Sequence, residues 1–432
     1  MRKFIVIVVA ALVVLCGVGF YVYKTNDVNE TYENNEIKND SNMLSMMLET
    51  SAGSGEYQKT SASAWPTEGY TFNETLSKCE QGSSLSWDAT KNTVVMTGNV
   101  SDKCYVYFDV YVPPAINEVC SNGDTMSNCI KKLYTKQGEN NLYLHDSSLT
   151  NGAKDNSYRY AGSSDTTNNF VCFGYDSTDG ICPTDNLYRI IGVFGDEVKL
   201  IKYDYAKASL LGTDGDYFII YGIRFRDDTG TNKGTNTLDE IGAYYWNLAR
   251  NLSIKNVWST SLLNKTNLNS NFTTKIGTTW SNKIATTTWK VGGNTYANIK
   301  NTTVSNAYKN EITTPATNTT VNAKVGLMYV SDYMYAASPT YWTLVGNDSS
   351  DATKDYRTAI NDNWMYMGLY EWTITPCTDY GNAAFDIKST GNVSFSAVNE
   401  LVGAIRPVFS LGSSVTYASG SGTQDSPILI TD

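Results

Sequence analysis

Histidine is nearly absent: His145 is the only one in 432 residues, so no metal site or catalytic centre can be built from several imidazoles. Cations are also short. Lys and Arg total 33 against 43 Asp and Glu, a net charge of -10, or about -12 once Arg2 and Lys3 are set aside. A phosphate backbone is held by clustered Lys and Arg, so nucleic acid is excluded as a partner and anionic lipid surfaces are disfavoured. The cysteines form no paired C-x-x-C hooks, which argues against structural zinc. Asp214-Gly215-Asp216 and the acids from Arg226-Asp227-Asp228 through Asp239-Glu240 could offer oxygen ligands, but neither has EF-hand spacing, so no metal is expected. Only 18% of residues are charged and strong helix formers are thin outside a few segments, while Gly, Asn, Ser, Thr and Tyr abound. That composition predicts a mainly β protein with some α, an α+β chain.

What is present begins at the N-terminus. Arg2 and Lys3 precede an apolar run from Phe4 to Tyr23, closed by Lys24. As a helix this run is about 30 Å long, enough to span a bilayer. Cations before it, with Asp27, Glu30, Glu33 and Glu36 after it, predict residues 1–3 inside, 4–23 as a transmembrane signal anchor and the remainder outside a single-pass cell membrane. A cleaved signal peptide is the alternative, but Gly17-Val18-Gly19 is followed by more apolar sequence. Cys16 as a lipoprotein cysteine is opposed by Leu15 before it, where a small side chain is wanted.

Residues 24–64 read as a polar, acidic stalk in which Met43 to Leu48 could form one or two helical turns. Residues 65–112 read as a small β module, from Leu85-Ser-Trp87, Thr93-Val-Val-Met96 and Tyr105-Val-Tyr-Phe108. Residues 113–139 form a short helical connector, and 140–432 a large domain. Within it, Leu187 to Phe194 and Val198 to Tyr203 flank Gly195-Asp196, a strong hairpin signal. Phe272, Ile276, Trp280 and Ile284 recur every four residues, predicting one helical face. Cysteine order suggests local pairs Cys79 with Cys104, Cys120 with Cys129 and Cys172 with Cys182, leaving Cys377, although order alone does not fix connectivity. Disulfides fit an exported location, and the first pair would staple a module too small to bury much core.

Two stretches carry a resemblance. Gly368-Leu-Tyr-Glu-Trp-Thr373, then Gly403-Ala-Ile-Arg-Pro-Val408, resemble the formylglycine-generating-enzyme-like branch of the C-type lectin fold, which shows Asn-Val-Trp-Glu-Trp and then Gly-Phe-Arg. Gly368 replaces the Asn, Tyr370 the first Trp, and Ala404-Ile405-Arg406 the Gly-Phe-Arg. Over most of residues 60 to 432 the chain also resembles uncharacterised anchored surface proteins of Gram-positive bacteria. That likeness lies in Gly69 to Asn73, Asn169 to Gly174, Leu187 to Val193, Trp258 to Ser261, Thr288 to Gly293 and Gly326 to Asp332. It implies a C-type-lectin-like terminal domain, a scaffold that hosts both enzymes and binders, so function must come from the site. The Glu-Pro-Asn or Gln-Pro-Asp loop of calcium-dependent sugar-binding lectins is absent.

No catalytic residue is assigned. His145 lies in Leu-His-Asp-Ser, but sequence neighbours seldom converge as a triad, so it is expected at the surface. Cys377 lacks the closely spaced second cysteine of the formylglycine-generating enzymes and is expected as an unpaired thiol. Aromatics remain: seven of nine tryptophans lie between Trp246 and Trp372, and most should pack in the core. Tyr among Gly, Asn and Ser also suits a contact surface, which selects Tyr380, Asn382, Phe395 and Ser396 as ligand-facing. Glu371, Trp372 and Arg406 are assigned to the scaffold, where a buried carboxylate and guanidinium need each other. The expectation is a membrane-anchored extracellular binding or adhesion protein without cofactor, presenting loops to a glycan or protein. The alternatives are a structural cell-envelope protein without a pocket and, behind it, an enzyme on the same fold.

Overall fold

The computed structural model describes residues 31–33, 44–62, 64–66, 69–99, 101–176, 181–217, 242–248, 255–315, 319–344, 351, 354–399 and 402–431. The chain is a mixed α+β protein, mostly sheet, with disulfides Cys79–Cys104, Cys120–Cys129 and Cys172–Cys182; Cys377 is free and buried. The expected anchor at 4–23 and the acids at 226–240 lie outside the described residues. Among the described residues no helix is long and apolar enough to cross a membrane, and no group of three or more His, Cys, Asp or Glu is placed to hold a metal ion. The chain divides into two compact units, Met1–Pro113 and Pro114–Asp432.

In the first unit, a four-stranded sheet runs in the order Tyr57–Lys59, Leu44–Glu49, Cys104–Val110, Tyr70–Cys79. Thr31–Glu33, Thr93–Thr97 and Ser84–Asp88 form a three-stranded sheet. The segment expected as helical turns in a stalk is instead the Leu44–Glu49 strand, parallel to Cys104–Val110. Its Met46 enters a core with Trp65, Leu85, Val94, Val106 and Phe108, and this burial outweighs the helix propensity of Met and Leu. Phe72 stacks on Trp87, and Phe108 meets both edge-on. Cys79 and Cys104 face each other across the sheet, so their disulfide ties two strands at the margin of this small core.

The second unit is built on a seven-stranded antiparallel sheet. Its order is Val325–Gly326, Val408–Leu411, Glu197–Lys202, Leu187–Phe194, Tyr158–Tyr160, Leu142–Leu144, with Phe170–Cys172 also on Leu187–Phe194. The predicted hairpin is present: Phe194 pairs with Glu197 around Gly195-Asp196. Both strands are buried on nearly every residue, which is why they read as continuous apolar runs and not as alternation. Gly192 lets the neighbouring strand approach, since a Cβ there would collide with the Tyr158 carbonyl.

Residues expected as a connector belong to this unit. Ile116, Met126, Cys129, Ile130 and Leu133, from Ile116–Val119 and Met126–Gln137, enter the main core, so the compact unit begins at Pro114 where the sequence suggested 140. The helical face from Phe272 to Ile284 is broken. A π-type segment Leu263–Phe272 and short helix Thr273–Lys275 end before Gly277, whose φ of +83° suits glycine, and Thr278–Asn282 restarts. Phe272, Trp280 and Ile284 are buried, while Ile276 is only partly so. A separate three-stranded sheet of Glu371–Pro376, Ala383–Ile387 and Val393–Ala397 carries the late residues of interest.

Candidate functional site

Arg406 grips Glu371 through Nε to Oε1 at 2.7 Å and Nη2 to Oε2 at 2.8 Å, and Nη2 also donates to the Met365 carbonyl at 2.7 Å. Both side chains are buried. Burial pushes the Glu371 carboxyl up and Arg406 pulls it back; burial pulls the guanidinium down and Glu371 more than offsets this. Trp372 is buried and donates Nε1–H to the Tyr244 carbonyl at 2.9 Å.

The loop between Pro376 and Ala383 holds an exposed aromatic. Asn256 pins it: its side-chain amide donates to the carbonyls of Cys377 (2.7 Å), Tyr380 (3.2 Å) and Ala383 (2.7 Å), and its backbone N–H donates to Gly381 at 2.9 Å. Asp379 accepts the Tyr296 N–H at 3.0 Å, tying the loop to the helix Tyr296–Lys300. On this frame Tyr380 stacks on Phe395 with centroids 4.8 Å apart and planes 14° off parallel, and Tyr296 packs against Phe395 at 4.6 Å. Tyr380 still keeps 48% exposure, so the ring face away from Phe395 meets solvent. Asp379 and Asn382 flank it, both exposed.

Ser396 is not part of this rim. Alternation along a strand puts Phe395 and Ser396 on opposite sides of the sheet. Ser396 Oγ donates to Asp386 Oδ2 at 2.5 Å, and Lys388 Nζ reaches both the hydroxyl and that carboxylate at 3.0 Å. Asp386 is buried, which raises its carboxyl, and its Oδ1 has no hydrogen-bond partner among the described residues. The four residues selected from sequence thus split: Tyr380, Phe395 and Asn382 toward the exposed loop side, Ser396 into a polar triad. Tyr296 joins the rim through contacts that no local sequence signal reveals, whereas Asp379 directly precedes Tyr380 in the same polar, glycine-containing stretch.

His145 is buried, not at the surface as expected. Its Nδ1 accepts the Ala153 N–H at 3.0 Å and its ring packs on Tyr335 and Trp342, so the segment folds inward around the imidazole. Burial, then the nearby Arg159 charge, hold it well below the usual imidazole range. Burial raises the Cys377 thiol, the opposite of activation. Asp216 is consumed by backbone N–H groups of Leu248, Leu262 and Leu263 at 3.2, 2.8 and 2.9 Å. Asp214 accepts from the Asn271 amide at 2.6 Å.

A second charged cluster lies inside the unit. Lys199 Nζ is 2.5 Å from Asp332 Oδ2; Arg159 pairs with Asp155 at 2.7 Å and lies 3.6 Å from Asp332 Oδ1. Glu311 accepts the N–H groups of Val330 and Ser331 at 3.1 and 3.0 Å, and burial pushes its carboxyl up to about 7. These residues come from four separate segments, 155–159, 199, 311 and 330–332, so their convergence is invisible in sequence. No family model, curated protein or solved structure matches the chain.

Proposed function

We propose that the protein is an adhesion or binding protein, anchored in the cell membrane by the 4–23 run with its bulk outside. In this reading the Pro114–Asp432 unit is a C-type-lectin-like domain, akin to the formylglycine-generating-enzyme-like branch, and offers the Tyr380 rim to a glycan without metal or cofactor. The observation that carries it is the solvent-facing side of Tyr380, which remains 48% exposed while stacked on Phe395. A rigid aromatic face can pack against the C–H face of a sugar ring, and Asp379 and Asn382 beside it can meet hydroxyls. Loop pinning by Asn256 lowers the ordering cost of binding. Three disulfides suit an oxidising exterior.

Detergent-solubilised full-length protein on a glycan array tests the reading. Binding that Tyr380→Ala abolishes without changing the melting temperature is the expected result. Capture of a protein ligand through the same rim would replace the glycan. Wild-type indifference to every surface tested would favour the envelope-structural alternative. Protease added to intact cells tests the topology: the Pro114–Asp432 unit should be shaved off, and its protection would reverse the orientation.

A further inference from the structure

The Lys199–Asp332 contact is unusual for where it sits. Lys199 lies on a central strand of the seven-stranded sheet and Asp332 in the first turn of Val330–Tyr335, 133 residues later in the chain. Both are buried, and the ammonium is walled by the rings of Tyr329, Phe194 and Trp289 at 4.7, 5.4 and 5.7 Å. Two full charges in such surroundings are costly to hold even when paired. Desolvation drives Lys199 below its usual range, toward the neutral amine, although Asp332 opposes it. Asp332 Oδ2 also accepts the Tyr329 N–H at 3.0 Å, which fixes the carboxylate against the amine. Arg159 Nη1 is buried, makes no hydrogen bond among the described residues, and stands 3.6 Å from the other oxygen, Oδ1.

We propose that Lys199 and Asp332 condense to an intramolecular amide that covalently staples the central strand to the helix start. The ammonium first passes a proton to Oδ2, leaving a neutral amine and a carboxylic acid. The amine lone pair then forms the Nζ–Cγ bond, and Oδ1 becomes an oxyanion facing Arg159 Nη1. Nζ gives a second proton to the Oδ2 hydroxyl, the Cγ–Oδ2 bond breaks, and one water leaves. No oxidant or co-reactant is needed. The product removes both buried charges, and its carbonyl Oδ1 lies near the guanidinium N–H that otherwise lacks a hydrogen-bond acceptor among the described residues. Fixed proximity supplies the entropic advantage for amide condensation, and burial of both side chains disfavours hydrolysis.

Peptide mapping of the full-length protein, reduced and digested with trypsin, tests this. Acylated Lys199 resists cleavage, so Ile190–Lys202 should appear joined to Val325–Lys354, lighter than their sum by one water. Asp332→Asn should form the same link with loss of ammonia, and Lys199→Arg should abolish it while keeping a cation in place. Should Lys199→Arg misfold, the wild-type map decides alone. Recovery of Ile190–Lys199 and Val325–Lys354 as separate, unmodified peptides overturns the proposal. So does a water loss that stays within Val325–Lys354, which would mark a cyclic imide at Asp332.

Discussion

Arg406 holds Glu371 by two nearly equal bonds, 2.7 and 2.8 Å, with both side chains withdrawn from water. Removing one partner strands the other. Glu371→Gln should therefore destabilise the second unit by about 3 to 5 kcal/mol, whereas replacing both residues with apolar ones of similar size should cost less than either single change. Denaturant unfolding of the three variants checks the order. A double variant as unstable as the worse single would show that the pair contributes more than mutual neutralisation.

The Cys79–Cys104 disulfide closes 25 residues around a core of few large side chains. Replacing both cysteines with serine should lower the stability of the first unit by about 3 kcal/mol, mainly by freeing the unfolded chain. The Pro114–Asp432 transition should be unchanged. Calorimetry resolves the two units if each unfolds in its own step.

Glu311 makes stability depend on pH. Its carboxyl titrates at about 7 in the fold against 4.5 when unfolded, because burial disfavours the anion. The folded chain thus keeps a proton that the unfolded chain has lost, so this contribution is full below pH 4.5 and disappears as pH rises to about 7. The loss amounts to about 3 kcal/mol. His145 acts in the opposite direction: depressed in the fold, it contributes stability above its unfolded value of 6.5 that falls away as pH drops. Comparing wild type with Glu311→Gln isolates the first slope. An unchanged stability profile between pH 4.5 and 7 in the variant would refute the assignment.

The sequence is legible where the deciding physics is local. The hairpin about Gly195-Asp196 declared itself through two apolar runs and a tight turn, and the three cysteine pairs through short separations. Met43 to Leu48 reads as helical turns because the strand's partner lies near residue 106, and only that distant neighbour decides between helix and strand. Ile116 to Leu133 looked like a connector because four or five apolar residues do not disclose which core they will join. His145 looked exposed among Asp and Ser, yet Trp342 and Tyr335, some two hundred residues away, close over it. Of the proposed rim, Tyr380 and Phe395 are legible as aromatics among small polar residues, while Tyr296 joins only through the tertiary contacts of its helix with Phe395 and Asp379.

The division of Phe395 from Ser396 across one sheet gives the sharpest separation of binding from folding. Tyr380→Ala removes the exposed ring and little else, so adhesion should fall while the melting temperature stays within about a degree or two, as expected of a surface change. Ser396→Ala removes the hydroxyl that donates to Asp386, leaving Lys388 as the remaining partner of that buried carboxylate. It should cost about 1 to 2 kcal/mol and leave adhesion per folded molecule untouched. Trp372→Ala opens a large cavity beneath the same sheet and should cost about 3 to 5 kcal/mol, taking binding and fold together. Equal loss of adhesion in the Tyr380 and Ser396 variants, measured on protein shown to be folded, would place the ligand across both faces and remove the aromatic rim as the recognition element.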